Sequence, residues 1–231
     1  MQSFPQDFRA IVIGASGAIG SAFVAALGTN QKCAAAVGLG RQTQPAIDFD
    51  DEDSIASAAE SLARSAPFHL IINAVGVLHS SEFMPEKKFG DLHYEQMAKT
   101  FRVNAIGPAM VMRHFSKLLD PHRGVMAFLS AKVGSIEDNR LGGWYSYRAS
   151  KAALNMFIKT AAIEIKRTNP NAVVIALHPG TVSSRLSQPF RGAEIGRSAR
   201  DAATDMLTVI DTSLPDETGR FYAYDGTQLP W

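Results

Sequence analysis

Ile11-Val12-Ile13-Gly14-Ala15-Ser16-Gly17-Ala18-Ile19-Gly20 is the stretch whose reading decides the fold. A short apolar run enters a turn with glycines three residues apart and leaves into Ser21–Leu27, which has helical periodicity. A strand that passes through glycines straight into a helix opens main-chain amides and the helix N-terminus to an anion. Side chains at the turn would hold a pyrophosphate away. The G-x-x-G-x-x-G spacing alone also arises for structural reasons. With a strand before it and a helix after it, the turn points to nucleotide binding.

The same alternation continues outward. Strand candidates fall at Ala10–Ile13, Ala34–Leu39, Leu70–Asn73, Val125–Leu129, Val173–Leu177 and Phe221–Tyr224. Helical periodicity fills Ile19–Leu27, Asp53–Ser65, Tyr94–Leu118, Tyr147–Arg167 and Ala199–Ile210. Several strands are apolar throughout, as strands covered on both faces are. With no repeat and no Pro/Gly/Ser linker, the expectation is an α/β protein. The expected architecture is a single Rossmann-type, doubly wound parallel β-sheet flanked by helices, one dinucleotide-binding domain over residues 1–231.

Composition narrows the function classes. Hydrophobic residues make up 46% and charged residues 19%, enough apolar material for a sizeable core. The 23 basic and 22 acidic residues leave a formal charge of +1, so nothing electrostatic favours nucleic acid or an anionic membrane. No run approaches the roughly 20 apolar residues of a membrane span, and Met1–Arg9 lacks a basic-then-apolar leader pattern. A cytoplasmic protein is expected. The single Cys33 excludes an internal disulfide and a cysteine-based metal site. His69, His79, His93, His114 and His122 have no metal-like spacing, so no metal is expected. Asp50-Asp51-Glu52-Asp53 reads as the solvated start of a helix.

Gly40-Arg41 follows the second strand candidate. A site for an unphosphorylated ribose places a carboxylate near this point, to accept from the 2′-hydroxyl. Here the charge is reversed, and a guanidinium suits a 2′-phosphate. The next carboxylate in the chain is Asp48. NADP(H) is therefore favoured over NAD(H).

Tyr147-Arg148-Ala149-Ser150-Lys151 opens a long helical segment. Positions i and i+4 share a helix face, so Tyr147 and Lys151 can enter one site. A phenol with a pKa of about 10 is a poor proton shuttle at neutral pH. A nearby ammonium favours the phenolate and draws that value down. Tyr145 lies six residues before Lys151 and faces elsewhere.

With the glycine turn and Tyr147/Lys151 in place, the chain resembles the short-chain dehydrogenase/reductase family over nearly its whole length. The resemblance assigns Gly14, Ser16, Gly17, Ile19 and Gly20 to the cofactor turn and Asp48-Phe49 to the adenine. It places Asn73-Ala74-Val75-Gly76 at the end of the family's fourth strand, beside the adenosine. Asn104, in Val103-Asn104-Ala105, matches the helix asparagine that helps hold a relay water. Pro179, Gly180, Val182 and Ser184 fall where the family meets the nicotinamide, and Tyr147 and Lys151 also touch the cofactor. Gly134–Asn139 and Gly142–Tyr147 narrow the likeness to the C-factor and sniffer-like carbonyl-reductase branch, which includes proteins linked to cell–cell signalling. The resemblance implies a homodimer or homotetramer packed through the helices at Tyr94–Leu118 and Tyr147–Arg167.

Two departures stand out. Ile13 and Ala18 replace the threonine and middle glycine of the family turn, with Gly17 positioned to keep it open. After the family's fifth strand, Ser130-Ala131-Lys132-Val133-Gly134-Ser135 puts alanine where the substrate-binding serine is usual. Ser130 is the first candidate to replace it, Ser135 the second, and the third possibility is that Tyr147 polarises the carbonyl alone. The stretch between Ser184 and Arg200 is expected to cover the substrate, a small carbonyl or alcohol. Epimerase and dehydratase relatives need a larger C-terminal substrate region than the roughly 50 residues after Gly180. A cofactor-binding regulatory protein with incidental turnover is the other alternative.

Overall fold

The six apolar runs form one parallel sheet in the computed structural model, which describes Met1–Trp231. In chain order the elements are β1 (Phe8–Ile13), α1 (Ala18–Gly28), β2 (Cys33–Leu39), α2 (Glu52–Ala63), β3 (Leu70–Asn73), α3 (Tyr94–Phe101) and α4 (Gly107–Phe115). There follow β4 (Val125–Leu129), α5 (Tyr145–Thr168), β5 (Val173–His178), α6 (Gly192–Ile195), α7 (Ala199–Thr212) and β6 (Phe221–Ala223). Every neighbouring strand pair is parallel, in the order β2-β1-β3-β4-β5-β6. The chain steps from β1 out to β2, returns across β1 to β3, and then moves outward through β4, β5 and β6. That reversal opens a crevice at the carboxyl ends of β1 and β3, where ligands sit in open α/β sheets.

Strand side chains alternate between two cores, because successive Cβ atoms point to opposite faces. Ile11 and Ile13 pack with Ile55, Phe115, Leu154 and Ile158, which come from α2, α4 and α5. Ala10 and Val12 pack with Phe23, Leu27, Met206 and Ile210, which come from α1 and α7. Both faces are covered, and β3 and β4 are buried from end to end. The acidic cluster does begin a helix: Asp51 accepts from Asp53 N, and Glu52 and Asp53 lie in the first turn. There they complement the N-terminal end of the helix dipole.

Three local features differ from the sequence reading. Residues 40–51 form no strand, so the strand ending in Asn73 is the third here and the strand before Ser130 the fourth. The periodicity over Tyr94–Leu118 is broken by a π-helical segment, Arg102–Ile106, between α3 and α4. Asn104 sits in that segment, fully buried. Its side chain holds both polar main-chain groups of Val77: Oδ1 accepts from Val77 N and Nδ2 donates to Val77 O, each at 2.8 Å. Finally, α5 starts at Tyr145 behind Trp144, whose φ of 51° is left-handed.

Candidate active site

The glycine turn packs tightly enough to exclude side chains. Gly14 has φ of +85°, and a Cβ there would lie 2.9 Å from Val75 Cγ2 and 3.0 Å from Val75 N. A Cβ on Gly20 would lie 2.1 Å from Gly14 O, so α1 rests directly on the turn. A cavity of about 350 Å³ opens beside it, lined by Gly14, Ser16, Gly17, Arg41, Asp48, Phe49, Ala74 and Gly76 among others. Eight of the expected cofactor residues thus share one wall. Asp48 and Asp50 line the same cavity as Arg41, although Asp48 is distant in sequence, because the 40–49 loop folds back. Asp50 pairs with Arg102 at 3.2 Å, and Asp48 Oδ1 accepts from Asp50 N at 3.1 Å. Neither carboxylate is ion-paired with Arg41.

A second cavity, of about 250 Å³, is lined by Ile19, Ser130, Tyr147, Pro179, Gly180, Val182 and Ser184 from the expected set. Its other walls are mostly apolar: Leu78, Ala131, Val133, Trp144, Leu186, Phe190 and Ile195. Trp144 lies against Phe190 at 4.8 Å between ring centroids and edge-on to Tyr147 at 6.2 Å. Leu186, Phe190 and Ile195 come from the stretch expected to cover the substrate. The ends of that stretch are clasped by the main chain: Ser183 N donates to Arg197 O at 3.0 Å, and Arg197 N to Thr181 O at 2.9 Å.

Lys151 lies behind Tyr147, one helical turn on, with Nζ 5.8 Å from the ring centroid and donating to Leu129 O at 2.8 Å. Both side chains are buried. Burial pushes the Tyr147 phenol up to about 12 and the Lys151 ammonium down to about 8. This differs from the expectation that lysine lowers the tyrosine: in the protein alone, desolvation sets the direction of both shifts. Gly76 connects this pair to the first cavity. A Cβ there would lie 3.5 Å from Lys151 Nζ and 3.6 Å from Asn104 Oδ1. Asn73 and Gly20 support the site from beneath. Asn73 is 1% exposed and its Oδ1 faces Val75 N at 3.4 Å.

The serines divide clearly. Ser130 lines the second cavity, but its one hydroxyl proton goes to Asn155 Oδ1 at 2.6 Å. Ser135 Oγ donates to Trp231 O at 3.1 Å, tying the C-terminal residue to the loop after β4. Ala131 occupies the wall beside Tyr147 and offers no donor. His178 Nδ1 and Asn155 Nδ2 are buried without partners near the same strand ends. Burial pushes His178 down to about 4, so the ring is neutral.

The residues present fit a dinucleotide. Two cavities flank the glycine turn, and Arg41 lines the first. The buried Tyr147 lines the second, with Lys151 behind it at the end of β4. Trp144, Phe190, Leu78 and Lys99 line the cavities without a chemical signature in the sequence.

Comparison with known proteins agrees. The short chain dehydrogenase family model matches residues 9–194. C-signal of Myxococcus xanthus is 37% identical over 145 residues, 62% of this chain and 82% of that protein. The fold is shared with carbonyl reductase Sniffer of D. melanogaster: TM-score 0.83, 20% identity, 98% of this chain and 100% of that one. It is also shared with an NADPH-bound carbonyl reductase from chicken fatty liver: TM-score 0.84, 20% identity, 99% and 96% coverage. The matched family model spans most of the sheet and the Tyr147–Lys151 helix, and the chain belongs to the short-chain dehydrogenase/reductase family of oxidoreductases.

Proposed function

We propose that this protein reduces a small aldehyde or ketone with NADPH, or oxidises the corresponding alcohol. One observation carries the reading: Tyr147 forms a buried wall of an apolar cavity with Lys151 directly behind it. Bound in the two cavities, the cofactor supplies the hydride. Arg41 would hold the 2′-phosphate, the glycine turn the pyrophosphate, and Pro179, Gly180, Val182 and Ser184 the nicotinamide end. Tyr147 gives its proton to the substrate oxygen as the carbonyl carbon is reduced. Lys151 holds the ribose and favours the phenolate that remains. Asn104 fixes the Val77 segment, and with it the path for a relay water. Ser130 serves by ordering Asn155, leaving Tyr147 as the sole donor to the carbonyl.

Trp144, Leu78 and Phe190 exclude water from the substrate, and the stretch between 184 and 200 covers it. The protein acts as one catalytic domain in the cytoplasm; no helix is long and apolar enough to cross a membrane. Exposed Met156, Phe157 and Ile163 on α5 suit packing into a homodimer or homotetramer. The test is NADPH and NADH oxidation against a panel of aldehydes, ketones and quinones, with Tyr147→Phe as the control. Turnover that collapses in the variant while cofactor affinity holds supports the enzyme. A second reading, a cofactor-binding signalling protein, is favoured by the likeness to C-signal and by Ala131. NADPH binding without turnover across the panel would support that one.

A further inference from the structure

Glu86 is 2% exposed, a carboxylate deep in the protein with no cation within ion-pair distance. Burying a carboxylate is costly unless hydrogen bonds replace its water. Its partners all lie at the start of α5, some 60 residues away: Ser146 N donates to Oε2 at 3.2 Å, Ser146 Oγ donates to Oε1, and Trp144 N donates to the Glu86 main-chain oxygen at 2.5 Å.

An α-helix leaves its first amides without intrahelical partners, and the residue just before it normally caps them with a short polar side chain. Here that residue is Trp144, which makes no side-chain cap. Glu86 supplies the missing acceptor from a distant loop, with the negative charge that a helix N-terminus favours. The two residues flanking its bonds are those that shape the substrate cavity: Trp144 on one side, Tyr147 on the other. The loop itself is anchored to α3, where Gln96 Nε2 donates to Met84 O at 3.0 Å and Lys99 pairs with Glu82 at 3.0 Å.

We infer that Glu86 is a positioning residue for the reaction: it caps the catalytic helix and sets where Tyr147 and Trp144 stand in the substrate cavity. The inference rests on the proposed role of Tyr147. It names Glu86 and Ser146 as one unit acting through α5, touching neither substrate nor cofactor. Glutamine at 86 keeps an oxygen for the Ser146 amide and places an NH₂ toward its hydroxyl, so it should restore most of the geometry. Alanine removes both contacts.

The experiment compares Glu86→Ala, Glu86→Gln and Ser146→Ala, each in a Trp231→Phe background. Trp231 stacks on Phe221 away from the cavity, so Trp144 then reports alone by fluorescence. Circular dichroism at the assay temperature selects folded protein. Glu86→Ala should lower kcat at least tenfold with KM for NADPH within twofold, and shift Trp144 emission to the red. Glu86→Gln should recover kcat to within about threefold. If Glu86→Ala does not fold, Ser146→Ala carries the same test, with a smaller fall in kcat and a red shift in the same direction. Folded variants with unchanged kcat and Trp144 emission overturn the inference. If the parent protein turns over no carbonyl, the enzyme reading fails separately, and the Trp144 shift still decides whether Glu86 positions the helix start.

Discussion

Lys151 Nζ donates to the main-chain oxygen of Leu129 at 2.8 Å, which fixes the lysine against the carboxyl end of β4, beneath the Tyr147 ring. The burial of the ammonium has a thermodynamic signature. Burial lowers Lys151 from 10.5 to about 8, so between pH 8 and 10 the unfolded chain binds more protons at this residue than the folded one. Stability therefore rises with pH through that window, by about 2 kcal/mol from this group. Tyr147, raised to about 12, has the opposite sign, with stability lost between pH 10 and 12. Thermal unfolding of the cofactor-free protein from pH 7 to 10 should show the gain over Lys151→Met growing with pH. Parallel curves would contradict the assigned shift.

Ala131→Ser should raise kcat for small ketones several-fold, because it adds a hydroxyl to the wall beside Tyr147. Ser130→Ala should leave kcat within threefold while lowering stability by about 1–2 kcal/mol, since it strands the buried Asn155 amide. Steady-state rates with denaturant melts on both variants decide the matter. A large loss of kcat in Ser130→Ala, with the fold intact, would restore Ser130 as the substrate's second donor.

Arg41→Ala should weaken NADPH binding about tenfold and NADH binding less than twofold, the loss of a charge-assisted contact at an exposed site. Fluorescence titration with both cofactors measures the difference. Equal loss for both would show that Arg41 does not read the 2′-phosphate.

Gly20→Ala should destabilise the protein by about 2–3 kcal/mol and weaken NADPH binding at least tenfold, because the new methyl meets main-chain atoms that cannot swing aside. Gly28→Ala, with open space around its Cβ, is the control and should not lower stability. Urea melts compare them directly. Equal stability for the two variants would mean that the turn yields more readily than its packing indicates.

The sheet was legible because its strands are apolar on both faces and glycine marks the first turn. Nothing in Val125–Leu129 permits another environment. The tyrosine–lysine pair was legible because helical spacing alone puts positions 147 and 151 on one face. What escaped were relationships with no local pattern. Glu86 reads as one more surface charge until the fold carries Ser146 to it. Asn104 was found through resemblance, yet the π-helical segment around it left no mark in the periodicity of Tyr94–Leu118. The raised Tyr147 pKa depends on how completely the ring is buried, which spacing does not encode. Arg41 has no carboxylate beside it in sequence, yet the fold brings Asp48 and Asp50 to the same cavity.

The main-chain clasp between Thr181–Ser183 and Arg197 makes the intervening segment a replaceable cassette. Because its stem is closed by backbone hydrogen bonds, the segment can lengthen, shorten or change composition without pulling on Pro179–Val182. Each doubling of a flexible loop costs only about 0.6 kcal/mol in closure entropy. Selection could thus redesign the cavity wall formed by Leu186, Phe190 and Ile195, while the glycine turn stayed as it was. In this architecture the range of compounds accepted can diversify independently of the chemistry performed on them.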